Sequence, residues 1–179
     1  MAGPLIMPWK GVSPRIAADA FIAPNAVIIG DVEIGPQASI WFNCVLRGDV
    51  NPIRVGARSN LQDGTIVHCD GPWNGTKGYP TTIGDDVLVG HMVMVHGAII
   101  ENHAFVGMNA VLLSGTVVEG DAMVAAGALV AAKRVPKGQL WAGSPAKFMR
   151  ELSEKDIAGM RAGVDRYVLN GQAYREQLG

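Results

Sequence analysis

The sequence predicts an all-β fold, a parallel β-helix of six-residue rungs followed by one C-terminal α-helix. An aliphatic residue recurs every six positions, as Ile28, Ile34, Ile40 and Leu46, then Val55, Leu61 and Val67. After a gap the series resumes as Ile83, Val89, Val95, Ile100, Val106, Leu112, Val118 and Val124. A fixed period of this kind marks a solenoid, in which each repeat buries its apolar face only against its neighbours. The fifth position of the rung repeats too, with small or aliphatic residues such as Val32, Ala38, Cys44, Val87, Ala104 and Ala122 set to point inward. The composition agrees: 23 glycines and only four Phe suit short strands separated by regular turns.

Six residues make one flat side, three sides close a triangular coil, and stacked coils lie about 4.8 Å apart. The expected organisation is a lead-in over 1–19, the coil over 20–150 and a helical segment over 151–179. Three breaks in the rhythm stand out: about three extra residues near Val50 to Ile53, a loop of roughly eleven between Cys69 and Thr81, and one residue missing before Ile100. The run Gly71-Pro72-Trp73-Asn74-Gly75 should project from the coil as a turn. Ser153 and Asp156 are spaced as a capping pair, and Ile157, Met160, Val164, Tyr167 and Val168 form one helical stripe. That helix should lie along the outside of the coil.

A chain of 179 residues is the length of one domain, which then carries the whole function. Its 15 basic and 16 acidic residues leave a formal charge of -1, without the surplus needed to hold nucleic acid or an anionic membrane. A small-molecule substrate is expected instead. The N-terminal stretch, interrupted by Pro4, Pro8 and Lys10, has no secretory h-region, and nothing approaches a transmembrane span. Two cysteines, Cys44 and Cys69, read as reduced thiols of a cytoplasmic protein. Cys69 is expected to be a small apolar filler.

The repeat also sorts the histidines. If Val67 opens side A, then Ile83 opens B, Val89 opens C and Val95 returns to A. His68 and His96 therefore occupy the same position on side A of successive coils, one strand spacing apart, where two imidazoles can converge on one metal ion. His91 stands two after Val89, on side C, facing away from them. Three prisms packed in parallel about a threefold axis would bring side C of one chain to side A of the next, so a three-histidine site would form at each interface of a homotrimer. Arg47 falls in the column of His68 and His96, and Asp63 in that of His91. Those two should meet across the interface as an ion pair. Gln62 and Asn60 lie on the Asp63 rung, Asp49 lies beside Arg47, and Met108 stacks beyond His91 as an apolar wall. His103 reads as an ordinary surface residue.

The segment Arg47-Gly48-Asp49, then Ser59-Asn60-Leu61-Gln62-Asp63, His68, Gly90-His91 and His96-Gly97 resembles the signature of the γ-class carbonic anhydrases, a family of left-handed parallel β-helices. The resemblance implies the left hand of the coil, a homotrimer, and zinc, with ferrous iron or cobalt(II) as alternatives. It implies His68 and His96 as metal ligands from one chain and His91 from its neighbour. Gln62 would orient the metal-bound solvent, with Asn60 in the same motif. Arg47 and Asp63 would pair between chains, and Asp49 would brace Arg47. Tyr167 resembles a tyrosine that the shorter branch of the family brings from its C-terminal helix. Three neutral imidazoles would leave zinc its double charge and one open position, so that the ion would bring the ionisation of water near pH 7, and the reaction the resemblance implies is hydration of carbon dioxide to bicarbonate.

The chain departs from the longer branch in two places. Val50 stands where a glutamate follows the Arg-Gly-Asp aspartate, and the loop after His68 holds Asp70 and Lys77 but no glutamate to relay protons. Other readings of the same coil are a metal-dependent ester or thioester hydrolase, a hexapeptide acyltransferase using coenzyme A, and a non-catalytic trimeric scaffold or small-ligand binder with structural zinc. An open solvent position with inhibition by small anions would separate the enzymes from the scaffold.

Overall fold

A computed structural model describes residues 3–131 and 133–178 of the chain. They form a parallel β-solenoid with a single helix, α1, at Glu154–Leu178. Each of the three sides carries seven parallel strands among the described residues. Side A comprises Leu5–Met7, the first halves of Val27–Ile34 and Val45–Val55, then Ile66–His68, Met94–His96, Val111–Leu112 and Leu129–Val130. Side B takes the second halves of the two long strands together with Arg15–Ile16, Thr81–Ile83, Ile99–Ile100, Val117–Val118 and Arg134–Val135. Side C runs from Phe21–Ile22 to Gln139–Ala142. The assignment of Val67, Ile83 and Val89 to sides A, B and C is the one the six-residue count gave.

The core is the stack of repeat residues. Ile28, Leu46, Leu61, Val67, Val89, Val95 and Leu112 are fully buried, and the fifth-position residues Val32, Cys44, Val93 and Ala110 lie between them. Corners turn through left-handed residues such as Arg58, Asp86 and His103, with φ of 60°, 54° and 63°. The conformation suits a tight turn and is one that few side chains adopt freely.

The ladder reaches further back than residue 20. Leu5–Met7 pairs with Val27–Ile29, and Arg15–Ile16 with Glu33–Ile34, so the first coil begins at Leu5. Its rhythm is hidden by a hairpin in which Trp9 and Val12 pair across Lys10 and Gly11. At the other end Lys147–Glu151 returns antiparallel on Gln139–Ala142 before the helix starts. The expected extra residues are found where Gly30 pairs with Gly48 but Val32 pairs with Ile53. The missing residue before Ile100 is taken up at Gly97, whose φ of 56° turns the corner early. A Cβ there would stand 2.8 Å from Tyr79 Cβ, so glycine is required by space as well as by φ.

The Ser153–Asp156 pair caps α1 reciprocally: the Asp156 N–H donates to Ser153 Oγ at 3.2 Å, and the Ser153 N–H to Asp156 Oδ2 at 2.8 Å. Hydrogen bonds from Arg150 and Ser153 hold the Asp156 carboxyl far below the usual carboxylate range. Met160, Val164 and Val168 are buried, and the helix lies across side C against Phe21–Ile22, Ser39–Ile40, Asn60–Leu61 and Leu88–Val89. Arg58 ties it to the coil, 2.7 Å from Asp86 and 2.6 Å from Asp165.

Candidate metal centre

The stacking that places Val67 beside Val95 also pairs His68 with His96. Their backbones are fixed by Thr81, whose hydroxyl donates to the His68 carbonyl at 2.6 Å and accepts the Gly97 N–H at 3.0 Å. His68 Nδ1 and His96 Nε2 face each other at 3.1 Å. The outer nitrogens are held separately: His68 Nε2 by Asp49 Oδ1 at 3.0 Å, and His96 Nδ1 by Ser114 Oγ at 3.0 Å. Each ring thus offers one nitrogen to the shared gap and has the other tied, the arrangement by which outer partners fix a ligand's tautomer and direction. Two nitrogens on a tetrahedral zinc stand about 3.3 Å apart for Zn–N bonds of about 2.0–2.1 Å. The donor pair therefore fits a divalent metal.

Arg47 lies 2.6 Å from Asp49, and Asp70 at the base of the following loop is 3.8 Å from His96. Burial works to raise the Asp49 carboxyl, but hydrogen bonds from Arg47 and His68 outweigh it and hold the group below the ordinary carboxylate range. The loop is a hairpin. Trp73 and Thr76 pair across Asn74 and Gly75, both with positive φ, which matches the two-residue Asn-Gly turn. Asn51, in the insertion, donates to the carbonyls of Asp70 at 2.7 Å and Lys77 at 3.0 Å and so anchors it. Cys69 is buried, 2.9 Å from the Asn51 carbonyl, and burial pushes its thiol up to about 11. That is the environment of a packing residue.

The second group lies on the corner between sides C and A. His91 Nδ1 is 2.9 Å from Asp63 Oδ2, as their shared column requires, and Nε2 has no side-chain partner among the described residues. Asn60 and Gln62 are buried, and Gln62 Nε2 donates to Asn60 Oδ1 at 3.2 Å. Tyr167 is half-buried with its ring 5.4 Å from Trp41, and burial, then the charge of Asp63, pushes its hydroxyl pKa up. Met108 on this corner is 54% exposed.

The two groups do not meet within one chain. Among the described residues no three His, Cys, Asp or Glu side chains converge as a metal site, and Arg47 pairs with Asp49 rather than with Asp63. Sequence reasoning missed Ser114 and Thr81. Thr81 occupies the fifth rung position, where most rungs carry Val or Ala, and a buried hydroxyl there was a legible signal. Ser114 follows the repeat residue Leu112 by two and stacks on the Gly97 corner, which column counting could have found.

The family model described as bacterial transferase hexapeptide (six repeats) matches residues 13–48. A carbonic anhydrase of Geobacillus kaustophilus is 46% identical over 172 residues, covering 96% of this chain and 91% of that protein. Gamma carbonic anhydrase 2, mitochondrial, of Arabidopsis thaliana is 49% identical over 166 residues, covering 92% of this chain but 60% of the plant protein. A crystal structure of a hexapeptide transferase family protein from Anaplasma phagocytophilum superposes with a TM-score of 0.88 at 42% identity, covering 95% of this chain and 98% of that one. A Bacillus cereus protein provisionally described as an acetyltransferase superposes with a TM-score of 0.92 at 41% identity, covering 97% and 98%. Fold and repeat define a hexapeptide-repeat β-helix protein. Within that class the chain belongs to the γ-carbonic anhydrase-like family, and its coil is left-handed. It spans about three fifths of the plant relatives' length. Among the described residues no helix is long and apolar enough to cross a membrane.

Proposed function

We propose that the chain is a γ-class carbonic anhydrase-like metalloenzyme that interconverts carbon dioxide and bicarbonate at metal sites shared between the subunits of a homotrimer. The observation that carries this reading is the facing pair His68 Nδ1 and His96 Nε2, 3.1 Å apart with both outer nitrogens held. His68 and His96 would hold the ion from one chain, and His91, braced by Asp63, from the neighbour. When bound, the ion, zinc or else ferrous iron or cobalt(II), supplies a double positive charge that brings the ionisation of water near neutral pH. Asp49, Ser114 and Asp63 keep the three imidazoles in one tautomer and one direction. Gln62, fixed by Asn60, presents a hydrogen-bonding amide that orients solvent and substrate. Met108 offers an apolar wall to carbon dioxide. Arg47 would pair with Asp63 of the neighbour, and Tyr167, beside Asp63, would close the pocket from the helix. The two buried thiols suit the reducing cytoplasm, the compartment we propose.

The names of the superposing structures, a hexapeptide transferase family protein and an acetyltransferase, favour a second reading, acyl transfer, for which an acyl-coenzyme A would be the donor. Purified protein assayed for metal content, carbon dioxide hydration and coenzyme A binding separates the two. We expect about one divalent ion per chain, hydration lost on chelation, and no coenzyme A binding. Metal-independent acyl transfer would overturn the proposal.

A further inference from the structure

Each of the first six coils contributes three aliphatic residues to the core, one per side, and the last puts Trp141 in the side C position. In the second coil these are Ile28, Ile34 and Ile40, none more than 2% exposed. The strand register sets Ile6, Ile16 and Ile22 directly beside them in the first coil. There Ile6 is 45% exposed, and Ile16 and Ile22 are only half-buried. Among the described residues no further rung covers this layer. The opposite end of the solenoid is closed: Ala146, 1% exposed, packs into the core cluster and donates its N–H to the Leu129 carbonyl at 2.7 Å.

The uncovered isoleucine layer is the floor of a cavity of about 910 Å³, walled on one side by the last turns of α1. That volume is typical of sites for small organic ligands. Arg175 stands on its rim. Its guanidinium donates to the carbonyls of Ala18 at 2.9 Å and Asp19 at 3.2 Å, which occupies two of its five N–H groups. None of the ion pairs among the described residues includes it. Glu176 is the other charged residue of the lining. A wide apolar floor with one under-used guanidinium at its edge matches a ligand that has a hydrocarbon body and one anionic end.

We propose that this cavity binds a medium-chain alkyl carboxylate, with the chain on Ile6, Ile16 and Ile22 and the head group on Arg175. A small polar anion would leave the floor uncovered, and a neutral hydrocarbon would leave the guanidinium unmatched. None of the lining residues belongs to the histidine site, so the inference stands or falls independently of the metal chemistry.

The test is a titration of the full chain, methyl-labelled at isoleucine, with hexanoate, octanoate and decanoate below their micelle concentrations. The methyl resonances of Ile6, Ile16 and Ile22 should shift together, and Kd should fall about fourfold for each added methylene. Arg175→Gln should weaken octanoate roughly tenfold while leaving octanol unchanged, because only the anion uses the charge-assisted hydrogen bond. Glu176→Gln should tighten octanoate by removing a like charge. Three unmoved isoleucine methyls at saturating decanoate would overturn the proposal. So would a Kd indifferent to chain length, an equal loss for octanol in Arg175→Gln, or light scattering showing that the floor is covered by end-to-end association of two copies.

Discussion

Sides A and B of the solenoid share one core and differ on their outer surfaces. On side A the outward residues run Leu5, Val27, Val45, Ile66, Met94, Val111 and Leu129 in one register row, apolar from the first coil to the last. The corresponding row on side B begins Arg15, Glu33, Arg54 and Thr82 and ends, after Ile99 and Val117, at Arg134. There charges pair with each other, Arg15 with Glu33 at 2.9 Å and Arg54 with Asp31 at 2.8 Å. Side C has its own cover in α1. A long apolar row left open beside two half-buried histidines has the character of surfaces that protein contacts cover, whereas a charged ladder suits solvent. The contrast supports a proposed interface on side A, with His68 and His96 at its edge and His91 on the adjoining corner.

The largest effect should come from charging the open row. Ile66 is 40% exposed in the single chain, so Ile66→Lys costs the subunit little but buries an ammonium at a side A interface. Light scattering should show monomers with unchanged strand content by circular dichroism; a stable trimer would move the interface elsewhere. Next in size is Asp49→Asn, which removes the carboxylate on His68 Nε2 and should lower metal affinity about 10- to 100-fold by competitive chelator titration. The smallest belongs to side B: Arg54→Gln should leave assembly unaltered and change unfolding stability by about 1 kcal/mol, because its pair with Asp31 is half-buried and still partly screened by solvent. Dissociation of that variant would erase the distinction between the sides.

The coil was legible because inward residues repeat at a fixed period that neither polarity nor loops disturb over most of the chain. The side on which each histidine falls followed from counting. What escaped was set by excursions and by second partners. The first coil was hidden by the Trp9–Val12 hairpin, which puts nine residues between Ile6 and Ile16 where the repeat has five. Ser114 and Thr81 stood as polar residues at countable repeat positions, but their partners, His96 Nδ1 and the His68 carbonyl with the Gly97 N–H, come near them only once the coils stack. Asp63 on His91 was found in the column count, since both stand two after a repeat residue. The interface itself lies beyond one chain, so Arg47 with Asp63 and the meeting of His91 with His68 and His96 rest on side assignment and remain proposals.

The shared site can be tested directly by mixing two defective chains. His96→Ala and His91→Ala subunits, refolded together, should form trimers in which some interfaces regain all three imidazoles. Metal per trimer should then recover, while each parent homotrimer holds none. If verified mixed trimers recover no metal, the ligands do not come from two chains and the cross-interface account is contradicted, even with the solenoid intact.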